Sequence, residues 1–244
     1  MTRLRVLFRS EGLVAVDKPP GMLVVPGRSR DGAPTVRQRL EAELGQKLWV
    51  VHRLDRETSG VLLLALDAAS HRAGSLAFER GQVRKTYLAL VAPPLEAPRL
   101  VARALLPARR GRMRLAGPGE PGKPARTRLR PLEVHRLGGL VEAEPLTGRT
   151  HQIRLHLQAA GAPLLVDAQY GRPGPVTASA LGGRGEEAVL ERTPLHAARL
   201  VLPAGQGLPG LDVESPLPAD MRRALELLRA EGGAGQGESW NGAD

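Results

Sequence analysis

Val51-His52-Arg53-Leu54-Asp55-Arg56-Glu57-Thr58-Ser59-Gly60 runs straight into Val61-Leu62-Leu63-Leu64-Ala65-Leu66. The second half of this stretch is unbroken apolar sequence, the pattern of a strand buried on both faces. Residues 48–51 are also apolar, so the polar segment 52–60 reads as a turn held between two core strands. Loops on rigid scaffolds are where binding and catalytic groups concentrate. Asp55 lies between Arg53 and Arg56, and neighbouring cations keep a carboxylate ionised, which suits a nucleophile or an electrostatic stabiliser of a sugar cation. The same residues also describe a salt-bridged turn aspartate capped by Thr58 and Ser59, and the stretch alone leaves both readings open.

Toward the amino terminus, residues 13–17 are β-like, the prolines and glycine of 18–21 force a turn, and 22–25 resume an extended pattern. Thr35 with Gln38 three residues on forms a capping-box signature. Val36, Leu40 and Leu44 follow at helical spacing, with Gly45 as the stop. Toward the carboxyl terminus, residues 67–80 are rich in helix formers and end at Gly81, and 83–91 read as a strand whose period of two puts Lys85 and Tyr87 on one face.

Residues 93–98 and 117–124 read as loops. The second is expected to be a flexible hairpin between basic strands, with Arg109, Arg110, Arg112 and Arg114 on one side and Arg126, Arg128 and Arg130 on the other, a candidate contact for a nucleic-acid backbone. A strand over 140–146 and a turn over 147–150 precede a helix over 151–160, with Ile153, Leu157 and Ala160 inward and Gly161 as its stop. The turn thereby delivers Arg149 to a helix amino terminus, where backbone N–H groups and the dipole favour an anion, either a phosphate or Asp55. Ordinary helix capping by Thr150 is the plainer reading of the same turn and is compatible with it. Residues 171–187 read as a Gly- and Pro-rich surface insertion, 195–202 as strand, and 220–230 as a helix with Met221, Leu225 and Leu228 at core spacing. The polar tail 231–244 is expected to be disordered. Strands and helices mix without regular βαβ alternation and without a composition break, which gives α+β in one domain.

A chain of 244 residues can bury a full core without disulfides or metals. The absence of cysteine excludes a disulfide framework and thiolate chemistry, and is compatible with a reducing cytoplasm. Residues 1–16 lack an apolar stretch of signal-peptide length, and the run 61–66 is far too short to span a bilayer. A soluble, unexported, cytoplasmic protein without membrane association is the expectation. The net charge of +10 and pI near 11.1 should attract a polyanion, with nucleic acid the leading partner. A composition rich in Arg, Ala, Gly and Pro together is also what a GC-rich gene produces, so charge alone does not decide.

Tyr87 is one of two tyrosines. Beside Lys85 it could stack on a base while the lysine meets a phosphate, or it could be a core residue. His151 and His156 are five apart, on different helix faces, and lack the Glu of a His-Glu-x-x-His site, so no metal is expected. His52 and His196 read as structural hydrogen-bonding groups.

Taken in order, five motifs resemble those of the RluA-type pseudouridine synthases: Asp17-Lys18-Pro19-Pro20-Gly21; His52-Arg53-Leu54-Asp55 with Thr58-Ser59-Gly60; Lys85-Thr86-Tyr87; Thr147-Gly148-Arg149-Thr150-His151-Gln152-Ile153-Arg154-Leu155-His156; and Leu195-His196-Ala197. One departure is Val166, which stands where the family usually has the glycine of a Gly-Asp-x-x-Tyr-Gly stretch. The resemblance implies one catalytic domain over 1–230 with a mixed, largely antiparallel sheet flanked by helices, and no separate S4-like RNA-binding module. It implies an isomerase that converts specific uridines of ribosomal or transfer RNA to pseudouridine. Asp55 would be the essential carboxylate, Tyr87 would stack on the target uracil and help remove its C5 proton, and Arg149 would pair with Asp55. Arg53 would occupy the space left by the flipped base, and Lys85, Arg56, His151 and Arg154 would contact the RNA. The reaction involves neither redox change nor a group donor, so no cofactor is expected, and a monomer is the default.

Overall fold

The computed structural model describes residues 3–27 and 32–231, the side chain of Arg110 excepted; all but the first residue of the predicted tail lies outside the described residues. In chain order the elements are β1 (Arg5–Arg9), β2 (Leu13–Lys18), α1 (Val36–Leu44), β3 (Trp49–Val50), β4 (Ser59–Ala65), α2 (Ala68–Glu79), β5 (Arg84–Val91), β6 (Arg99–Ala102), β7 (Leu105–Pro107), β8 (Met113–Leu115), β9 (Arg126–His135), β10 (Gly138–Pro145), α3 (Gln152–Ala159), β11 (Val176–Thr177), β12 (Ala188–Leu190), β13 (Leu195–Leu202), β14 (Leu211–Glu214) and α4 (Ala219–Glu231). The α+β reading with largely antiparallel pairing stands. The chain forms two compact units, one made of residues up to Lys85 with His196–Pro216, the other of Thr86–Leu195 with residues from Leu217 onward.

The first unit is built around β4, all of whose residues are buried, as its continuous apolar run requires. β2 runs antiparallel along its whole length, from Leu13 opposite Ala65 to Lys18 opposite Gly60. β13 pairs in parallel with its start, His196 opposite Ser59, and β3 pairs antiparallel with its end. Leu13, Ala15, Val61, Leu63, Leu200 and Val213 form the centre of the core. α1 matches its sequence signature from cap to cap. The capping box of Thr35 and Gln38 is formed at one end and Gly45, in the left-handed region, closes the other.

In the second unit β10 lies between β5 and β9, both antiparallel to it, and β6 pairs with the far side of β9. α3 sets Ile153, Leu157 and Ala160 into a core with Val141, Ala143 and Leu129, as the spacing predicted. α4 buries Met221, Leu225 and Leu228.

Three local expectations fail, each for a visible reason. Residues 22–25 form no strand, because the carbonyls of Leu23 and Val24 accept from the N–H groups of Val36 and Arg37 and so serve the first turn of α1. The basic segments flanking 117–124 are not partners. Met113–Leu115 folds back on Leu105–Pro107 through a tight turn at Arg109–Gly111, because Leu105, Met113 and Leu115 join an apolar cluster with Ala125, Leu155 and Tyr170, and β9 pairs elsewhere. The segment 171–187 is more than a surface insertion: Val176, Ala178 and Leu181 are fully buried, and β11 pairs with β12.

Candidate active site

The turn carrying Asp55 is fastened at several points within the first unit. Thr58 N–H donates to the Asp55 carbonyl at 3.2 Å, closing the turn. Arg56 Nε donates to the Gly21 carbonyl at 2.9 Å. Lys18, fully buried, donates from Nζ to the carbonyls of Pro19 (2.9 Å), Arg56 (2.9 Å) and Thr58 (2.7 Å), so three ammonium protons meet three carbonyls. Leu54 is buried under the turn, Asp55 is half-buried, and Arg53 and Arg56 are exposed. A carboxylate is thereby held on a rigid backbone at the edge of solvent with two arginines beside it in sequence.

Both flanking histidines are structural, as expected. His52 Nε2 accepts from the Leu63 N–H at 3.0 Å and its ring stacks on Phe78 with centroids 4.6 Å apart. Burial of the ring drives its pKa down to about 3, and the charge of Lys85 adds to the shift. His196 Nε2 meets the Ser215 carbonyl at 3.0 Å and so must carry the proton, which leaves Nδ1 to accept from the Ser59 hydroxyl at 2.9 Å. The Ser59 hydroxyl is therefore committed to His196. Gly60 has φ of +105°, and a Cβ there would lie 2.2 Å from the Ala197 carbonyl oxygen, so only glycine fits where β4 meets β13. Lys85, half-buried, places its ammonium 5.8 Å from the centre of the Phe78 ring.

The other predicted site residues belong to the second unit. Tyr87 on β5, opposite Ala143 of β10, is half-buried and packs on the core cluster. Arg149 is exposed, and its Nε donates to the Pro124 carbonyl at 3.1 Å. The turn that carries it is wired to Gln152. Gln152 Oε1 accepts from Arg149 N–H (3.0 Å) and from the Thr147 hydroxyl (2.7 Å), while its Nε2 donates to the Arg126 carbonyl (2.9 Å) and Thr127 Oγ1 (3.0 Å). Thr127 in turn donates to His156 Nδ1 at 2.8 Å, because His156 Nε2 must donate to the Arg103 carbonyl at 3.0 Å. Burial holds His156 below its ordinary pKa.

The residue capping the start of α3 is His151, which sits in the left-handed region (φ 56°) and makes no side-chain cap bond, so Thr150 is not the capping residue. Arg154 is buried and grips Asp167 with two bonds of 2.8 and 2.6 Å. Burial opposes the ionisation of Asp167, but the hydrogen bonds and charge of Arg154, with the N–H groups of Gln169 and Tyr170, hold its carboxyl below the usual range. Val166 keeps a negative φ, so the departure from glycine there is accommodated without strain.

Sequence reasoning gave no role to Lys18, Gln152, Asp167 or Tyr170. The signal for Lys18 was a cation directly after a buried strand. For the others it was only a polar side chain at an inward helical position or in a turn.

The basic surface is less positive than its arginine count implies. Arg114 is paired with Glu120, Arg128 with Glu144 and Arg130 with Glu142, while Arg109, Arg112, Lys123 and Arg126 are exposed. No described helix is long and apolar enough to cross a membrane.

These fastened motifs coincide with similarity to known proteins. The sequence profile described as RNA pseudouridylate synthase matches residues 12–159. Ribosomal large subunit pseudouridine synthase D of Nitrosomonas europaea is 36% identical over 234 residues, covering 93% of this chain and 65% of that relative. Ribosomal large subunit pseudouridine synthase C of Pasteurella multocida is 33% identical over 232 residues, covering 93% and 68%. The chain thus spans about two thirds of the length of these relatives. Human RNA Pseudouridylate Synthase Domain Containing 4 has a similar structure, with a TM-score of 0.74 at 28% identity and coverage of 92% of this chain and 93% of that one. Human RNA Pseudouridylate Synthase Domain Containing 1 follows with 0.69 at 27%, covering 93% and 95%. With the profile spanning both the Asp55 turn and the Arg149 turn, the chain belongs to the RNA pseudouridylate synthase family of isomerases.

Proposed function

We propose that this protein isomerises specific uridines of RNA to pseudouridine, with large-subunit ribosomal RNA the favoured substrate class and Asp55 the catalytic carboxylate. The observation that carries the proposal is the Asp55 turn, fixed by two bonds from a buried lysine and closed by its own backbone bond, in a chain of this family. Ribosomal RNA is favoured because the bacterial relatives are named for it; transfer RNA is the alternative the experiment decides.

The reaction breaks the bond from ribose C1′ to uracil N1, rotates the base and rejoins C1′ to C5, with the C5 proton transferred away and N1 reprotonated. Asp55 acts on the sugar, by attack at C1′ or by promoting elimination to a glycal. Tyr87 supports the detached uracil and Arg149 contributes positive charge at the reaction centre. Arg53 occupies the place of the flipped base, and Lys85, Arg56 and His151 contact the RNA. Arg154, gripped by Asp167, holds α3 beneath His151. Residues 1–230 work as one catalytic domain, a monomer in the cytoplasm. No step calls for a cofactor.

The test is pseudouridine mapping of unmodified ribosomal and transfer RNA after incubation with the wild type and with Asp55→Ala. New pseudouridine with the wild type alone supports the reading and names the substrate. None on either RNA overturns it in favour of a noncatalytic RNA-binding protein.

A further inference from the structure

The Tyr170 hydroxyl lies between two segments of the second unit that are remote in sequence. It accepts the N–H of Met113, on β8, at 2.8 Å, and it is 2.6 Å from Nδ1 of His151, at the start of α3. A phenol has one proton and two lone pairs, so accepting from Met113 and donating to His151 Nδ1 satisfies both contacts at once. The Tyr170 residue is buried and its ring is fixed from a third direction by the Arg154 guanidinium, 4.8 Å from the ring centroid. Arg154 is itself held by Asp167, whose carboxylate also accepts the Tyr170 N–H at 3.1 Å.

Each contact ends on a segment with its own task. Met113 follows the exposed Arg112 in the β7–β8 hairpin, whose tip carries the exposed Arg109. His151 holds left-handed backbone, a conformation that costs an ordinary residue about 1 kcal/mol, at the junction between Arg149 and α3. The imidazole contact with Tyr170 helps to hold that junction.

We propose that Tyr170 is a positioning residue: its hydroxyl couples the position of the basic β7–β8 hairpin to the Arg149 turn, so that RNA-backbone phosphates docking on Arg109 and Arg112 order the turn for reaction. The proposal rests on the RNA-isomerase reading for its catalytic consequence. The coupling itself is a property of the folded protein.

Tyr170→Phe removes the hydroxyl and keeps the ring. Amide exchange of the folded protein should rise in that variant roughly fivefold at both 111–115 and 149–152. An RNA oligonucleotide carrying the modified site should slow exchange in both segments of the wild type but only in the hairpin of the variant. On the RNA that the wild type modifies, kcat should fall about tenfold with KM within twofold, because binding remains and alignment is lost. A purely local structural role would raise exchange at 149–152 but leave the RNA-induced slowing there intact in the variant, and that result overturns the proposal. Exchange that rises at the hairpin alone, or an unchanged kcat, overturns the proposal. If the wild type modifies no RNA, the isomerase reading is what has failed, and exchange in the RNA-free protein still decides the coupling.

Discussion

Lys18 Nζ donates to the carbonyl of Thr58 at 2.7 Å, across forty residues of sequence, and with its bonds to Arg56 and Pro19 it fastens the turn of Asp55 to the end of β2. A fully buried ammonium is tolerated there because each of its protons meets a carbonyl oxygen.

Lys18→Met should therefore destabilise the fold by about 3 kcal/mol, since three carbonyls, that of Thr58 buried, lose their donor. Lys18→Arg should not restore it, because a planar guanidinium cannot converge on three carbonyls as an ammonium does. Urea unfolding followed by circular dichroism reads both. A midpoint for Lys18→Met matching the wild type would remove the lysine from this role.

Gly60→Ala should cost about 3 kcal/mol or more, combining a positive φ with a Cβ driven to 2.2 Å from the Ala197 carbonyl. Gly45→Ala meets open space and carries only the backbone penalty, on the order of 1 kcal/mol. Comparing the two thermal midpoints isolates the steric contribution, and equal losses would mean that β13 yields to the methyl group.

Much of this was legible in the sequence, and the limits of legibility are physical. α1 and β4 were readable because their signals are local: a capping box with a closing glycine, and an unbroken apolar run. The pairing of β8 with β7 was not, because strand partners depend on which apolar side chains reach a common cluster, here Leu105 and Leu115 with Leu155 and Tyr170. The Asp55 and Arg149 turns were found through their motifs. What holds them was hidden, since the partners of Lys18 are backbone carbonyls and two of the four partners of Gln152 lie on a strand distant in sequence. The arginines of β9 could be counted from the sequence, but their neutralisation by Glu142 and Glu144 follows only from the register with β10.

Stability should depend on pH through the buried histidines. The folded pKa of His52, about 3, lies below the ordinary 6.5, so the unfolded chain binds the proton more readily. Its contribution is fully present above pH 6.5 and is lost as pH falls toward 3, at on the order of 1 kcal/mol per pH unit. His156, also lowered by burial, acts with the same sign. Unfolding free energies at pH 4, 5, 6 and 7 should thus fall less steeply for His52→Gln, which can still accept the Leu63 N–H. Parallel slopes for the two proteins would contradict the assignment.

The wiring of Gln152 makes a sharper demand. Its oxygen receives protons from Arg149 N–H and the Thr147 hydroxyl, while its nitrogen gives protons to the Arg126 carbonyl and Thr127 Oγ1. Gln152→Glu is nearly isosteric, yet it sets a carboxylate oxygen against the Arg126 carbonyl and a Thr127 hydroxyl whose proton is committed to His156. The variant must bind a proton in the folded state or break that chain, so it should lose about 2 kcal/mol at neutral pH and regain part of it as the carboxyl protonates on acidification. Gln152→Met, which removes both functions at similar volume, should lose stability without that recovery. Unfolding at pH 5 and pH 7.5 separates them: a Gln152→Glu variant as stable as the wild type at pH 7.5 would contradict the role given to the bonds from the Gln152 amide nitrogen to the Arg126 carbonyl and Thr127 Oγ1.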